Sequence, residues 1–192
     1  VHAGLAKHGM AWFTKEQTAG KGQRGKTWVM EKGKNIAMSL VLEPGRLQIK
    51  NQFHLSAAVA LSCFEFFSEY AGEETSIKWP NDLYWQDRKA GGILIESIVG
   101  GEQSAVGSWQ SVPNAFGSSQ QSASANWNWA IIGIGININQ TGFPTELLNP
   151  VSLKQITGKN FDTVQLAKEI CVELNKQLLD LVNEGFEKVF SQ

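Results

Sequence analysis

Three glycines and three cations share the thirteen residues from Glu16 to Trp28, EQTAGKGQRGKTW. Gly20, Gly22 and Gly25 let the backbone turn and present its N–H groups. Lys21, Arg24 and Lys26 bring positive charge to the same place, so the segment suits an anion such as a phosphate chain. Gly20 to Thr27 superficially fits the phosphate-loop spacing G-x-x-x-x-G-K-[ST]. That loop needs a helix directly after its Lys-Thr pair, and Trp28-Val29-Met30 followed by Glu31-Lys32-Gly33-Lys34 lacks the pattern of a long one. A flexible basic loop that closes over a nucleotide fits better. Standing alone, such a stretch would read equally well as a solvated hairpin.

Three more segments have the composition of a site. In Lys78-Trp79-Pro80-Asn81-Asp82-Leu83, Pro80 stiffens a turn and Asn81 offers both a donor and an acceptor to an amide, a purine or a phosphate. In Arg88-Lys89-Ala90-Gly91-Gly92-Ile93, a lysine stands just before small residues at the start of a buried strand, where it can be held against a ligand; a snorkelling surface lysine is the ordinary alternative. In Ile132-Gly133-Ile134-Gly135-Ile136-Asn137, alternate glycines strip side chains from one face of an apolar strand. That leaves a slot for a flat ligand or room for a packed helix.

The elements that must carry these residues follow from periodicity. Met10–Phe13 reads as a short strand feeding the basic loop, and Asn35–Glu43 as a longer one stopped by Pro44-Gly45. Gln52–Ala71, with Phe53, Ala57, Leu61, Phe64 and Phe67 in period, reads as a buried amphipathic helix stopped by Gly72. Ser76–Trp79 reads as a strand ended by the turn at Pro80-Asn81-Asp82. Leu83–Trp85 and Gly92–Val99 form a hairpin around the charged bend Gln86-Asp87-Arg88-Lys89, and Trp129–Asn139 is a buried strand. Asp162–Glu184 is the clearest helix, with Leu166, Ile170, Leu174, Leu178 and Leu181 on one face and Gly185 as its C-cap. Between 100 and 128 the texture turns to Ser, Gln, Gly, Asn and Ala, as in a long hairpin tip, with Trp109, Phe116 and Trp127 as the alternative docking residues.

Composition removes several classes. A length of 192 residues suits one domain, and no linker or repeat divides it. A net charge of −1 speaks against broad nucleic-acid binding. No apolar run approaches the ~20 residues of a membrane span, and no signal peptide is visible, although the chain begins without Met. Cys63 and Cys171 sit in apolar helical patterns and read as buried free thiols of a reducing cytoplasm. No CxxC and only three scattered histidines point to no protein-bound metal.

EQTAGKGQRGKTW, KWPNDLYWQDRKAGGILIE and IIGIGININ, in that order and at these separations, resemble the catalytic domain of the biotin–protein ligases, also called biotin–[acetyl-CoA-carboxylase] ligases. The resemblance spans most of Trp12 to Asn139, and the trailing helix is consistent with it. It implies an α+β fold with a mixed, mainly antiparallel central sheet and packed helices, like that of the class II aminoacyl-tRNA synthetases and biotin synthetases. It implies that biotin and ATP, with Mg²⁺, give biotinyl-5′-AMP and pyrophosphate. The adenylate then acylates one lysine of the biotin carboxyl carrier domain of a biotin-dependent carboxylase, in the cytoplasm, with the enzyme a monomer or a homodimer.

Carried over residue by residue, the resemblance implies that Gln17, Gly20, Lys21, Gly22, Gln23, Lys89, Gly133 and Gly135 bind biotin. Arg24, Lys26, Trp28, Asn81 and Asn137 would hold the nucleotide. Lys89 and Arg24 would be catalytic, neutralising the reacting carboxylate and phosphate. Such chemistry joins two anions, so charge neutralisation and alignment matter more than a dedicated base. The family usually carries a Ser-Thr-Asn-type segment on a first strand and helix; this chain opens with Val1–Lys7, which reads as lying inside that helix. A small C-terminal β-barrel is common in the family, and the chain stops at Gln192, near its expected start. Residues 1–192 are thus expected to be the catalytic domain without those two parts, and no helix-turn-helix supports a repressor role. Lys21 and Gln23 stand where arginines are common. A lipoate or other acyl–protein ligase on the same fold, and a non-catalytic biotin-binding module, are the alternatives.

Overall fold

Alternation along one strand decides the centre of the molecule. In Trp127–Ile136, residues Ala130, Ile132, Ile134 and Ile136 are buried, while Ile131, Gly133 and Gly135 between them are half-buried. Successive strand residues point to opposite faces, so one face of this strand is packed and the other is only partly covered. Ile132, Ile134 and Ile136, each at most 3% exposed, contribute roughly 2 kcal/mol apiece by leaving water.

The computed structural model describes residues 4–45, 47, 51–100, 105, 106 and 127–186. In chain order the elements are β1 (Ala11–Phe13), β2 (Ile36–Leu42), α1 (Gln52–Ala71), β3 (Thr75–Lys78), β4 (Asp82–Trp85), β5 (Arg88–Val99), β6 (Ala105–Val106), β7 (Trp127–Ile136), α2 (Leu153–Thr157) and α3 (Thr163–Glu184). They form an α+β fold whose sheet runs β1-β2-β7-β5-β4-β3, with β6 beside β5. All strand pairs among the described residues are antiparallel. The parallel component of the expected mixed sheet is a single bridge, Lys89 to Pro150. Helices α1 and α3 pack on each other and on the isoleucine face. Asp162 caps α3 by accepting from the N–H groups of Val164 and Gln165, and Gly72 ends α1 with a positive φ of 80°.

Several expectations are corrected. The buried stripe of α1 is Leu55, Val59, Cys63, Phe66 and Phe67 with the small Ala57, Ala58 and Ala60, whereas Phe53 is 44% exposed and Leu61 and Phe64 are half-buried. The helix packs on both the sheet and α3, so its apolar surface is wide and a single-stripe reading misplaces its centre. Cys63 is buried and its thiol is pushed up to about 12 by desolvation; Cys171 is only half-buried. The described residues 4–10 hold no helix: a turn at His8-Gly9 leads into β1, with Gly9 N donating to Val41 O and Glu43 N to His8 Nδ1. Arg88 and Lys89 are strand residues of β5, leaving Gln86-Asp87 as the bend. Strand β7 ends at Ile136, three residues before the expected Asn139. Helix α2 is too short to show a period in the sequence, although Ser152 and Gln155 form a capping box at its start. The expected insertion, 100–128, lies mostly outside the described residues, as do Trp109 and Phe116; Trp127 is buried, its indole donating to Trp129 O.

Candidate active site

The partly covered face of the sheet is lined by small residues. Gly135 pairs with Gly92 on one side and Ala37 on the other, and Gly133 pairs with Leu94 and Ser39. Paired residues of antiparallel strands share a face, so β2, β7 and β5 present a glycine floor opposite the helices.

The basic loop folds onto this floor. Trp28 N donates to Gly20 O at 2.9 Å, Gly22 N to Lys26 O at 2.7 Å and Lys26 N to Gln23 O at 3.1 Å. A 3-10 turn at Gln23–Gly25 closes the tip, with Gly25 at φ 70°. At the root, a side chain on Gly20 would run into Trp28 O and come within 2.7 Å of Gln17 Oε1, so only glycine fits there. Lys21 and Lys26 are exposed; Gln23 is half-buried and its amide Nε2 has no partner. Arg24 lies in the 3-10 turn, and its side chain is outside the described residues. The Trp28 indole presses on Gly135: a Cβ there would sit 2.6 Å from Cε2, 2.8 Å from Cζ2 and 3.0 Å from Nε1. Its Nε1 is buried without a hydrogen-bond partner.

Lys89 stands at the rim of the floor. A Cβ built on Gly92 would lie 3.7 Å from Lys89 Nζ and equally 3.7 Å from Trp28 Cζ3, so lysine, loop and glycine strand meet at one point. Lys89 Nζ donates to Asp82 Oδ1 at 2.6 Å, and Asn81 Nδ2 donates to the same oxygen at 2.9 Å. The lysine's backbone is clamped as well, by Lys89 N to Asn149 O and Val151 N to Lys89 O. Asn81 O accepts from Ile93 N, which fixes the turn against β5. In sequence Asp82 is only the second half of an Asn-Asp turn; the β4–β5 pairing brings its carboxylate to Lys89.

Asn137 is placed differently from the others. It is 5% exposed, and its Nδ2 donates to Val151 O while its backbone bonds Ala90 and Leu153. Asn139 exchanges two hydrogen bonds with Phe161, and Gln140 Oε1 accepts from Asn35 Nδ2 and Glu31 N. The polar end of IIGIGININQ therefore fastens the segment after β7 to the sheet and to the strand that follows the loop. These buried amides are matched by partners, as burial demands.

The structure thus brings Trp28, Lys89 and Gly135 together, with Asn81 beside them through Asp82, Gly20 and Gln17 at the root of the loop that carries Trp28, Gln23 at its tip, and Gly133 further along the floor. Among the described residues there is no group of three His, Cys, Asp or Glu able to hold a metal ion. No described helix is long and apolar enough to cross a membrane. An ammonium held by a carboxylate, exposed loop lysines and a side-chain-free floor can hold a flat, partly apolar molecule whose tail ends in an anion.

The family model for the biotin/lipoate A/B protein ligases matches residues 4–108. The chain is 34% identical over 188 residues to the bifunctional ligase/repressor BirA of Bacillus subtilis, covering 96% of this chain and 50% of that protein. It is 41% identical over 98 residues to the biotin–[acetyl-CoA-carboxylase] ligase of Paracoccus denitrificans, covering 48% of this chain and 39% of that one. Its fold superposes on the biotin protein ligase from Aquifex aeolicus in complex with biotin and ATP with a TM-score of 0.72 at 26% identity, over 95% of this chain and 66% of that structure. The chain therefore spans about half the length of the full-length curated relatives it matches along its whole course.

Proposed function

The chain belongs to the biotin/lipoate A/B protein ligase family, and on that premise we propose that it is the catalytic domain of an ATP-dependent biotin–protein ligase. It activates biotin as biotinyl-5′-AMP and passes the biotinyl group to a lysine of a biotin carboxyl carrier domain. The observation that carries this reading is the meeting of Lys89, Trp28 and Gly92 at the rim of the glycine floor.

Adenylation joins a carboxylate to the α-phosphorus of ATP and releases pyrophosphate. Both reactants are anionic, so the main barrier is their repulsion, and a preorganised cation lowers it most. Lys89 is that cation. Asp82 holds its ammonium at 2.6 Å and the backbone clamp at Asn149 and Val151 holds its strand. Lys21, Arg24 and Lys26 bring further charge from the loop, and its backbone N–H groups add dipoles. Gln17 beside Gly20, with Gln23, contacts biotin; Gly133 and Gly135 give the floor on which it lies. Asn81, Trp28 and Asn137 serve the nucleotide side, Asn137 by shaping the β7 turn from its buried position. Mg²⁺, when bound to the ATP phosphates, would supply charge neutralisation there.

Acid-dependent ATP–pyrophosphate exchange tests the proposal. Biotin should support exchange, and lipoate and octanoate should not. Exchange with lipoate instead would move the chain to the lipoate branch of the family, and binding of biotin without exchange would make it a binding module.

A further inference from the structure

The floor continues sideways to the edge of the sheet. Ser39 pairs with Gly133 on one side and with Trp12 on the other, and Gly133 pairs with Leu94. Trp12, Ser39, Gly133 and Leu94 therefore form one rung across β1, β2, β7 and β5, on one face. Burial supports the same assignment independently. Their strand neighbours Phe13, Leu40, Ile132, Ile134, Ile93 and Ile95 all belong to the helix-side core.

The rung has the shape of a box. Adjacent strands lie ~4.8 Å apart, so the two large side chains at its ends stand on backbones roughly 14 Å apart, with only a hydroxymethyl group and a hydrogen atom between them. Towards Lys89, the next rung is Ala37–Gly135–Gly92, covered by the Trp28 indole. Away from it, the next rung is Val41–Ile131–Glu96, which restores side-chain bulk. The clear space over Gly133 and Ser39 is bounded by Trp28 and Ile131 along the strands, and by Leu94 and Trp12 across them. Trp12 is 48% exposed, a large aromatic surface half uncovered on the ligand side of an edge strand. The Ser39 hydroxyl beside it makes no hydrogen bond among the described residues and is only half-buried.

We infer that Trp12 is a specificity-determining residue: its indole is the lateral wall against which the bicyclic head of the ligand packs, with the Ser39 hydroxyl meeting the polar edge of that head. The inference rests on the biotin reading of the site. Aromatic walls suit this task because they add apolar area in a fixed orientation. Lipoate, whose single ring lacks a ureido group, uses the wall less and the hydroxyl not at all.

The test is calorimetric titration of the full chain with biotin, lipoate and ATP separately, for wild type, Trp12→Ala, Trp12→Leu and Ser39→Ala, with thermal unfolding alongside. Trp12→Ala should bind biotin roughly 10- to 100-fold more weakly, the range expected for uncovering an apolar side chain. ATP affinity and thermal midpoint should hold. Trp12→Leu retains apolar bulk on an edge strand and should fall between; it also serves if the alanine variant does not fold. Ser39→Ala should lower the ratio of biotin to lipoate affinity. Wild-type biotin affinity in both Trp12 variants would overturn the inference, and so would a change confined to sedimentation, which would make Trp12 an association surface. A wild-type chain that ignores biotin would overturn the ligase reading as well, and so is distinguishable from failure of the wall alone.

Discussion

Replacing Gly133 with alanine adds one methyl group to the floor between Ser39 and Leu94, and the folded chain has room for it. A Cβ there meets only Leu94 O at 3.5 Å and Leu94 Cβ at 3.9 Å, ordinary van der Waals separations. Alanine also leaves the unfolded chain fewer states than glycine, so stability should rise by roughly 0.4–1 kcal/mol. Bound ligand has no such room. The methyl carbon stands about 1.5 Å above Cα, so a ring packed on Gly133 must retreat by about that much or tilt. Overpacking of this size costs roughly 1–3 kcal/mol, which is about 5- to 150-fold in Kd. Gly135→Ala is the contrasting variant. Its Cβ would fall 2.6 Å from the Trp28 ring, so the loop must move before any ligand arrives, and stability and binding should fall together. Scanning calorimetry gives the thermal midpoint and titration calorimetry the biotin affinity. Gly133→Ala with raised stability and wild-type biotin affinity would refute the idea that the space above Gly133 is ligand space. Gly133→Ala with lowered stability would refute the assignment of its face.

Lys89→Ala should lower the rate of biotinyl-adenylate formation on the order of 10²-fold or more with circular dichroism unchanged, since the strand's backbone bonds to Asn149 and Val151 remain; pyrophosphate release under single-turnover conditions measures it. Asp82→Ala frees the Lys89 ammonium from its 2.6 Å partner and should lower kcat by roughly 10- to 100-fold through misplacement, with KM for ATP and biotin little changed. Its stability should shift by no more than about 1 kcal/mol, because the pair is partly exposed; a stability loss that accounts for the whole activity loss would contradict the positioning role. Gln23→Arg replaces a buried, unpartnered amide with a cation that gains a bound phosphate or carboxylate as partner, and should slow dissociation of preformed biotinyl-adenylate by roughly tenfold, the equivalent of one charge-assisted hydrogen bond. An unchanged off-rate at matched salt would mean that backbone N–H groups hold the intermediate.

The reach of the sequence is clearest where chemistry is local. Three glycines among three cations, a Pro-Asn-Asp turn, a lysine before two glycines and alternate glycines in an apolar run each have a reason that needs no neighbour in space. Together they named the family and the face of β7 that lacks side chains. Helix α3 was equally legible, because its apolar residues keep one period and its opposite face is exposed. Helix α1 was not, because it is buried on more than one side and its period no longer marks a single face. Tertiary pairing decided the rest. Asp82 reaches Lys89 only because β4 turns back antiparallel on β5. Trp28 reaches Gly135 only because the loop closes with Trp28 N on Gly20 O. The resemblance assigns Asn137 to the nucleotide side; that its buried amide donates to Val151 O is decided by the returning chain, which provides the partner such an amide needs. Trp12 and Ser39 carry no motif at all; strand register, with its period of two, sets them beside Gly133. Residue type and spacing determined which chemistry this chain can hold, and the antiparallel register decided which side chains stand close enough to perform it.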